Sequence, residues 1–304
     1  MAYPSAPGTR NIGSDTMRMI PVLYSGKLLK KYYDKTILSL VTNTDYEGEI
    51  RKHGDTVYIR TVPTLTIRDY VKGAALVNEQ PESTSVELQI NKGKYWSFVT
   101  EDLDKVQTDI KDFVSRWAAD GAQQLEIALD TDVLAGIATD AQHQGATAGK
   151  NDEFNFGAAG SPVPLTKANI LEYIVDCGTC LDQYNVPEQG RFMVLPPRIC
   201  GLIKKSDLKD ASLAGDAKSV IRSGVLGMID RFMILNSNLL SYVSNDTAYK
   251  CLFGVKDGAT FATQMTASKV QDNPNGFGML HRALNVYGYK VVKPEALGVL
   301  YAKV

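Results

Sequence analysis

The longest stretch of helical periodicity in the chain runs from residue 102 to residue 139. Apolar side chains recur there at every third or fourth position, with Leu103, Trp117 and Leu129 among them, as in an amphipathic helix. Asp102 stands at the amino end, where the helix dipole favours negative charge. The spacing predicts a helix of about 36 residues and about 54 Å, which would act as a structural beam. The remaining acids are expected to form a solvated face: Asp109, Asp112, Asp120, Glu126 and Asp130.

Alternating polar and apolar positions dominate residues 54–100. A turn signal at Gly54-Asp55 opens the stretch, a strict alternation joins Val86 to Ile90, and residues 95–99 continue the strand pattern. We expect a long two-stranded ribbon with arms of about 15 residues, which reach about 50 Å. Because an isolated ribbon is only marginally stable in water, this one is expected to lie on another surface, such as a neighbouring subunit.

Shorter patterns fill the rest of the chain. A short helix is predicted near the amino end on Leu28, Leu29, Tyr32, Tyr33 and Ile37. Thr166 is expected to cap a second helix, with an apolar face of Ile170, Leu171, Ile174, Val175 and Leu181. Residues 191–195 indicate a buried strand, and a third helix is predicted over 198–209. Further strands are predicted over 232–235, 286–292 and 297–302, so we expect an α+β fold rather than regular βαβ units.

Composition narrows the function classes. The chain has 304 residues, of which 44% are hydrophobic and 22% charged, as in ordinary folded proteins of roughly two domains. The formal net charge of −1 lacks the basic excess of a nucleic-acid-binding protein. No apolar run is long enough to cross a membrane, the amino end does not resemble a secretory signal, and four cysteines are too few for a disulfide scaffold. We expect a folded, intracellular protein without a membrane partner.

Residues 1–35 are more basic than the chain as a whole. They carry a net charge of +4, and their first part is rich in Pro, Gly, Ser and Thr. We interpret them as an extended arm on the surface. The alternative is an arm that meets an acidic partner or packaged nucleic acid.

Cys177 and Cys180 form a CxxC motif. Such a pair supports redox chemistry where the amino end of a helix lowers the thiol pKa, but this one falls in the middle of a predicted helix. A structural zinc site needs a second pair, and Cys200 and Cys251 stand apart in the sequence. A structural or incidental role is favoured, with metal binding and redox chemistry as alternatives.

Histidine and glycine patterns give no positive sign of an active site. The chain has three histidines: His53, His143 and His281. Neither His53 nor His281 has a Ser or Cys nucleophile at a recognisable spacing, although a triad is assembled in space rather than in sequence. The glycine pairs Gly224/Gly227 and Gly276/Gly278 lack the phosphate-loop and dinucleotide-binding patterns, and we interpret them as turns. We therefore predict no catalytic, cofactor-binding or metal-binding residues, and no enzyme activity.

Charged and aromatic residues of the ribbon carry two further hypotheses. Lys72, Lys92 and Lys94 are interpreted as solubilising charge on exposed edges, with pairing to acids of an adjacent subunit as the alternative. Tyr95 and Trp96 are interpreted as core or interface aromatics rather than a base-stacking platform, because no basic groove surrounds them. We expect Trp96→Ala to weaken assembly more than folding.

Several short stretches, taken in order, carry a family resemblance. They are residues 44–50 (TDYEGEI), 54–59 (GDTVYI), 100–104 (TEDLD), 181–187 (LDQYNVP), 191–197 (RFMVLPP), 236–239 (NSNL), 286–292 (VYGYKVV) and 294–297 (PEAL). Together with the order of elements, they resemble the major capsid (coat) proteins of tailed bacteriophages, which have the HK-ninety-seven-type fold. Two departures stand out. Arg231 precedes Phe232 where the family usually has glycine, and the Lys and Asn that crosslink some members are not matched.

The resemblance implies a division of the chain. It places an N-terminal arm and short helix in residues 1–35, the extended β-ribbon (E-loop) in 36–101, the spine helix and peripheral domain in 102–210, the axial domain in 211–285, and closing strands of the peripheral domain in 286–304. It also implies self-assembly into pentamers and hexamers of an icosahedral head around double-stranded DNA. The implied partners are the protein itself, a portal protein and a separate scaffolding protein, since the arm is too short for a fused one. The implied location is the virion, after assembly in the host cytoplasm.

Other hypotheses stay open at this point. Within the same fold, an encapsulin-like compartment would hold a protein cargo instead of a genome. From other classes, the chain could be an intracellular redox enzyme that uses Cys177 and Cys180, or a monomeric binding module. The long ribbon disfavours a monomer, because exposed strand edges invite aggregation.

Overall fold

The computed structural model describes residues 31–46, 56–70, 72–73, 75–76, 78–102, 112–206, 227–240, 242–243, 248–274 and 276–304. Its helices are α1 (Leu38–Val41), α2 (Phe113–Asp140), α3 (Ile170–Gln183) and α4 (Pro197–Lys205). Its strands are β1 (Thr56–Arg60), β2 (Ser85–Gln89), β3 (Lys92–Glu101), β4 (Val163–Pro164), β5 (Arg191–Leu195), β6 (Met228–Ile229), β7 (Phe232–Asn236), β8 (Tyr242–Val243), β9 (Ala248–Val255), β10 (Ala259–Asp272), β11 (Gly278–Val291) and β12 (Leu297–Lys303). Two 3₁₀ turns, Lys256–Gly258 and Pro294–Ala296, complete the described elements. The prediction of an α+β fold is confirmed.

A mixed sheet organises the larger core. Its strands run in the order β4-β12-β9-β5-β7-β6, and β8 also pairs with β9. Every residue of β5 is buried, because both faces of this strand are covered. Met193 and Leu195 pack with α3 and α4 on one face, while Phe192 and Val194 pack with α1 and the carboxyl half of α2 on the other. The result is three layers, helix on sheet on helix.

A second sheet lies beyond the amino half of α2. It has the order β10-β11-β3, and all of its strands are antiparallel. Trp96 and Phe98 project from β3 toward α2, where Phe98 meets the Trp117 ring edge to face at 5.8 Å. A single helix therefore packs against both sheets. It holds the hairpin of β10 and β11 in a fixed position relative to the mixed sheet.

The stem of the ribbon is the short ladder of β1 and β2. Five residue pairs join these strands, from Thr56 opposite Gln89 to Arg60 opposite Ser85. Beyond the ladder the two limbs keep the same register, because Thr61 bonds to Thr84 and the Thr66 N–H donates to Glu79. Both limbs are thus extended and advance side by side. Among the described residues, backbone ladder hydrogen bonds reach only one pair beyond the stem, to Thr61 and Thr84. The prediction of two 15-residue strands is therefore only partly correct.

The strand pattern that continues to residue 100 belongs to a different sheet from the ribbon. After β2 the chain turns at Ile90, and β3 pairs with β11 from Lys92 opposite Tyr287 to Glu101 opposite Gly278. Periodicity alone does not reveal this change of partner, because both segments alternate in the same way.

The boundaries of the helices differ from the predictions for identifiable reasons. The described part of α2 begins at Phe113, after Asp112 with a left-handed φ of 56°, and residues 103–111 lie outside the described residues. Its 28 residues correspond to about 42 Å rather than about 54 Å. Residues 31–37 are not helical, and the short helix is instead Leu38–Val41. Leu28 and Leu29 lie outside the described residues.

Two details of the second predicted helix are also wrong. Asn169, not Thr166, occupies the N-cap position of α3, and its side-chain oxygen accepts the Thr166 N–H. Val175 is exposed, whereas Ile170, Ile174 and Leu181 are buried as predicted. The third helix, predicted over 198–209, is Pro197–Lys205.

Candidate assembly surfaces

Beyond its stem, the ribbon has an outgoing limb that follows β1 and a returning limb that precedes β2. The outgoing limb is exposed to solvent along its length. Every residue from 64 to 70 is exposed, and Val62 and Ile67 each leave 92% of their surface to solvent. Monomeric soluble proteins rarely expose contiguous apolar surface of this kind unless it is a contact site. Within the described residues, Arg68 pairs with Glu79 across the two limbs and so helps to keep them together.

The stem that carries these limbs is fixed to the second sheet. Ile59 and Leu88 are buried with Ile90 and Ala262 in a small apolar cluster of their own. Gly288 of β11 lies directly beneath the carbonyl of Gln89, so closely that a Cβ there would overlap that oxygen. Because Gly288 has no side chain, the end of β2 can pass close to β11 at this point.

The stem covers only part of the face of the second sheet that points away from α2. Toward the hairpin turn, the face away from α2 presents Tyr95, Leu284, Arg282 and Lys269 around an open groove. Tyr95 is 75% exposed, and within the described residues neither Lys269 nor Arg282 forms an ion pair. This is a second bare surface on the same chain.

Acids of α2 are not the simple solvated face that the sequence predicted. Asp130 is buried, and its carboxylate accepts the N–H groups of Ile37 at 2.6 Å and Leu38 at 3.1 Å. Burial raises the pKa of Asp130 despite these hydrogen bonds. Asp120 accepts hydrogen bonds from Lys31 and Tyr33, which lower the pKa of its carboxyl group. The prediction was wrong for Asp120 and Asp130, because they bind the segment that enters α1, whereas Asp112 and Glu126 are exposed as predicted. Asp109 lies outside the described residues.

Two ribbon lysines contact their own chain. Lys92 donates to Asp132 at 2.8 Å and to the Tyr289 hydroxyl at 3.0 Å. Burial raises the pKa of Asp132, but the hydrogen bond from Lys92 and that from Tyr287 outweigh it, so the pKa lies below its usual value. Lys94 donates to the carbonyl oxygen of Ala128 in α2. Lys92 and Lys94 are therefore not free charge on exposed edges, whereas Lys72 is exposed as predicted. Pairing of these lysines with acids of an adjacent subunit stays a prediction.

Trp96 and Tyr95 lie on opposite faces of β3. Trp96 stacks on Phe98 with ring centroids 5.5 Å apart, and its ring lies over Gly121 of α2, where a Cβ would be 3.0 Å from the indole. Trp96 is thus a core aromatic of this chain. The exposed neighbour, Tyr95, is the better candidate for a contact with another molecule.

The cysteines do not form a redox site. Cys177 and Cys180 lie within α3, and all four cysteines are buried as free thiols. Burial raises the pKa of Cys177 well above its usual value, that of Cys180 to about 12 and that of Cys200 to about 11. Since the thiolate is the reactive form, these groups are inert core residues.

The histidines and glycines are structural where they are described. The His143 ring is buried and hydrogen-bonded to the Glu295 carbonyl at 2.8 Å, while His281 stacks on Phe98 at 4.9 Å. Gly276 and Gly278 belong to the turn of the hairpin, and Gly227 has a φ of 62°. His53 and Gly224 lie outside the described residues.

Metal binding and membrane insertion each require a recognisable arrangement of side chains. Among the described residues, no group of three or more His, Cys, Asp or Glu side chains is placed to hold a metal ion. None of the described helices is long and apolar enough to span a membrane.

Comparison with solved structures returns phage proteins over nearly the whole chain. A structure from Mycobacterium phage Che8 has 25% identity and a TM-score of 0.77, and the match covers 93% of this chain and 97% of that one. The capsid of Cyanophage P-SCSP1u has 16% identity and a TM-score of 0.72 over 96% of both chains. The mature capsid of bacteriophage PhiM1 has 13% identity and a TM-score of 0.69 over 98% and 99%. No family model and no curated protein matches the chain.

Proposed function

We propose that this chain, which has the HK-ninety-seven-type fold of tailed-phage capsid proteins, is the major capsid protein of a phage head. The observation that carries the proposal is the match of the entire fold to phage capsid structures, with 25% identity and 97% coverage for the Che8 chain. The role is structural and not enzymatic, and the inert buried thiols agree with it.

The finer proposal concerns assembly. Copies of the chain associate into pentamers and hexamers that close an icosahedral shell around double-stranded DNA in the virion. Symmetric burial of the bare limb and open sheet supplies the driving force. The resemblance adds a portal protein and a separate scaffolding protein as partners, weak salt-dependent contact with DNA, and assembly in the host cytoplasm.

The domain division is part of the same proposal. α2 is the spine helix, and the ribbon of β1 and β2 with its limbs is the E-loop. The hairpin of β10 and β11 extends the peripheral domain. Residues 259–272 pair with residues 278–291, so a domain boundary at residue 285 would divide one hairpin. The proposed axial domain therefore centres on the mixed sheet and excludes this hairpin.

Negative-stain electron microscopy of the heaviest sedimenting fraction from expressing cells tests the proposal, with and without a candidate scaffolding protein. We expect closed shells, tubes, or rings of five or six copies. Bound double-stranded DNA in filled particles distinguishes a genome container from an encapsulin-like compartment, which would hold protein instead. A chain that stays monomeric in both preparations at high concentration contradicts the proposal.

A matched pair of variants makes this test specific to the ribbon. Ile67→Asp places a charge on the bare limb, and we expect folded protein that no longer sediments as particles. Val175→Asp places the same charge on α3, where Val175 is also exposed, and should leave particle formation intact. Equal yields of particles from both variants would contradict a role of the limb in assembly.

A further inference from the structure

The outer strand of the mixed sheet is very short. In the order β4-β12-β9-β5-β7-β6, β6 forms one edge of the sheet, and it pairs with β7 at two positions, opposite Phe232 and Met233. The Ile234 N–H donates a further hydrogen bond to the carbonyl of Gly227, which precedes β6. Two paired positions and this bond therefore cover the first half of β7.

The strand that β6 covers is one that pairs readily with other strands. Residues 232–236 read Phe-Met-Ile-Leu-Asn, an uncharged segment with aromatic and β-branched residues that favour strands. An open edge on such a strand is a template for pairing with another chain, and a very short outer strand is one way in which proteins prevent this. The contacts that hold β6 in place therefore decide whether the edge of β7 is accessible.

The turn between β6 and β7 has an unfavourable sequence for its shape. Asp230 and Arg231 form it, and both have positive φ, 45° and 66°, as the central residues of a type I′ turn require. Asn-Gly or Asp-Gly is preferred there, because a larger side chain is strained at positive φ. A strained residue persists where surrounding contacts hold it, and such strain points to a role for the residue.

The Arg231 side chain contacts two acidic residues outside the turn. Its Nη2 donates to the Asp182 carboxylate at 2.8 Å, and its Nη1 lies 2.9 Å from the Glu188 carboxylate. Asp182 belongs to the last turn of α3, and Glu188 lies in the loop that leads to β5. The planar guanidinium group suits contact with two carboxylates better than the point charge of lysine does.

The loop that leads to β5 is itself firmly held. The Arg191 side chain is completely buried, and it donates to Asp182 at 2.6 Å and to the Val186 carbonyl at 2.7 Å. Burial raises the pKa of Asp182, but the hydrogen bonds from Arg191 and Arg231 outweigh it, so the pKa lies below its usual value. Asp182 is therefore charged at neutral pH and binds both arginines.

We propose that Arg231, with Asp182 and Glu188, forms a latch that holds β6 on the edge of β7 and so prevents this edge from pairing with a second copy of the chain. The ion pairs offset the strain of the turn. The latch is a property of the single chain, so it does not depend on the proposed function.

Hydrogen exchange at the Ile234 amide tests the latch, because this amide bonds to Gly227 only while β6 is in place. Arg231→Ala removes both ion pairs and keeps a side chain at positive φ. We expect exchange about ten-fold faster, the ratio for two exposed ion pairs worth about 1.4 kcal/mol together. Glu188→Gln removes one pair and should give about three-fold. The control is Glu172→Gln, an exposed acid on α3, which should change nothing.

Salt separates an ion-pair latch from simple packing of the arginine side chain. Arg231 and both of its partners are partly exposed, so about 1 M salt screens their attraction. We expect Ile234 exchange in the natural chain to rise with salt toward that of Arg231→Ala, whose own exchange stays nearly constant. A difference between the two chains that salt does not reduce would overturn the proposal.

Light scattering of the unassembled chain tests the guarded edge, with negative stain to tell irregular aggregates from particles. We expect Arg231→Ala to form irregular aggregates at concentrations at which the natural chain and Glu172→Gln do not, while its circular dichroism at low concentration is unchanged. Exchange equal to that of the natural chain overturns the proposal, and so does faster exchange without added aggregation. Neither result bears on the capsid proposal, which fails only if the natural chain never assembles.

Discussion

Some side chains of this protein are buried and stabilise its fold, whereas others are exposed to solvent. Asp130 is buried in α2 and binds the backbone of the segment that enters α1. Trp96 fills the space over Gly121, while its neighbour Tyr95 points away from the molecule. Adjacent residues of one strand thus have different roles, because side chains alternate between the faces of a sheet.

Trp96 and Tyr95 form a matched pair for substitution. Trp96→Ala empties the contact with Gly121 and Phe98, and we expect it to lower the free energy of unfolding by about 2 kcal/mol or more. Tyr95→Ala removes an exposed ring and should change it by about 0.5 kcal/mol or less. Urea denaturation of the unassembled chains measures both values. Particle yields measured beside these values test the expectation that Trp96→Ala weakens assembly more than folding, and equal losses of assembly and folding would contradict it. Equal losses of stability in the two variants would contradict the assignment of faces.

At the scale of elements, α2 joins the two sheets and the stem joins the ribbon to one of them. The carboxyl half of α2 is buried against the mixed sheet, through Leu129, Val133 and Ile137. Its amino half contacts the aromatic side chains of β3. The ribbon has a smaller anchor, the cluster around Ile59 and Leu88, so its position depends on few contacts.

Gly288→Ala tests the anchor of the ribbon. The added methyl group would overlap the Gln89 carbonyl, and overpacking of this kind costs about 1–3 kcal/mol. We expect the stem to separate from β11 and limited proteolysis within the ribbon to become faster. Gly160→Ala is the control, because nothing lies within 4 Å of a Cβ there. Equal proteolysis of the two variants would show that the close approach at Gly288 does not hold the stem.

Several elements could be predicted from the sequence, because local pattern and tertiary environment agree in them. Residues 191–195 are a buried strand because both faces are covered, and an uninterrupted apolar run indicates that situation. The division between β2 and β3 could not be predicted, since both segments alternate and their partners lie far away in sequence. The role of Asp130 was also hidden, because an acid at an exposed-looking helical position becomes buried only when α1 packs over it. The outer position of β6 depends on sheet order, which no local pattern contains.

In the described part of the chain, two sheets pack against the shared helix α2, and the ribbon extends from the second sheet and is anchored at its stem. The mixed sheet is buried on both faces, and the His143 ring lies between the end of α2 and the last 3₁₀ turn, close to Tyr184 at 4.5 Å. Burial lowers the pKa of His143, although its hydrogen bond to the Glu295 carbonyl acts in the opposite direction. Folding therefore favours the neutral ring.

The sign of the resulting pH dependence follows from the lowered pKa. Between the folded pKa and the unfolded value near 6.5, the unfolded chain binds more protons, so the folded state loses stability as the pH falls. The loss from His143 reaches at most about 1.4 kcal/mol per pH unit, and it is absent above pH 7.5 or so. We expect His143→Gln to be less sensitive than the natural chain between pH 7.5 and 5 in urea denaturation. Identical slopes would contradict a buried neutral ring, since the other titrating groups are common to both chains.

The hairpin of β10 and β11 has a mechanical consequence. Its strands are joined at 13 paired positions, and β11 is joined to β3 at ten more. A force applied along such strands loads the rungs of the ladder in parallel, so many hydrogen bonds must break together before the strands slide. A force that pulls the ends of two paired strands apart breaks their hydrogen bonds one at a time. A wall built from this chain would resist internal pressure best where the tension runs along the hairpin, and it would tear first where the tension peels the strands apart.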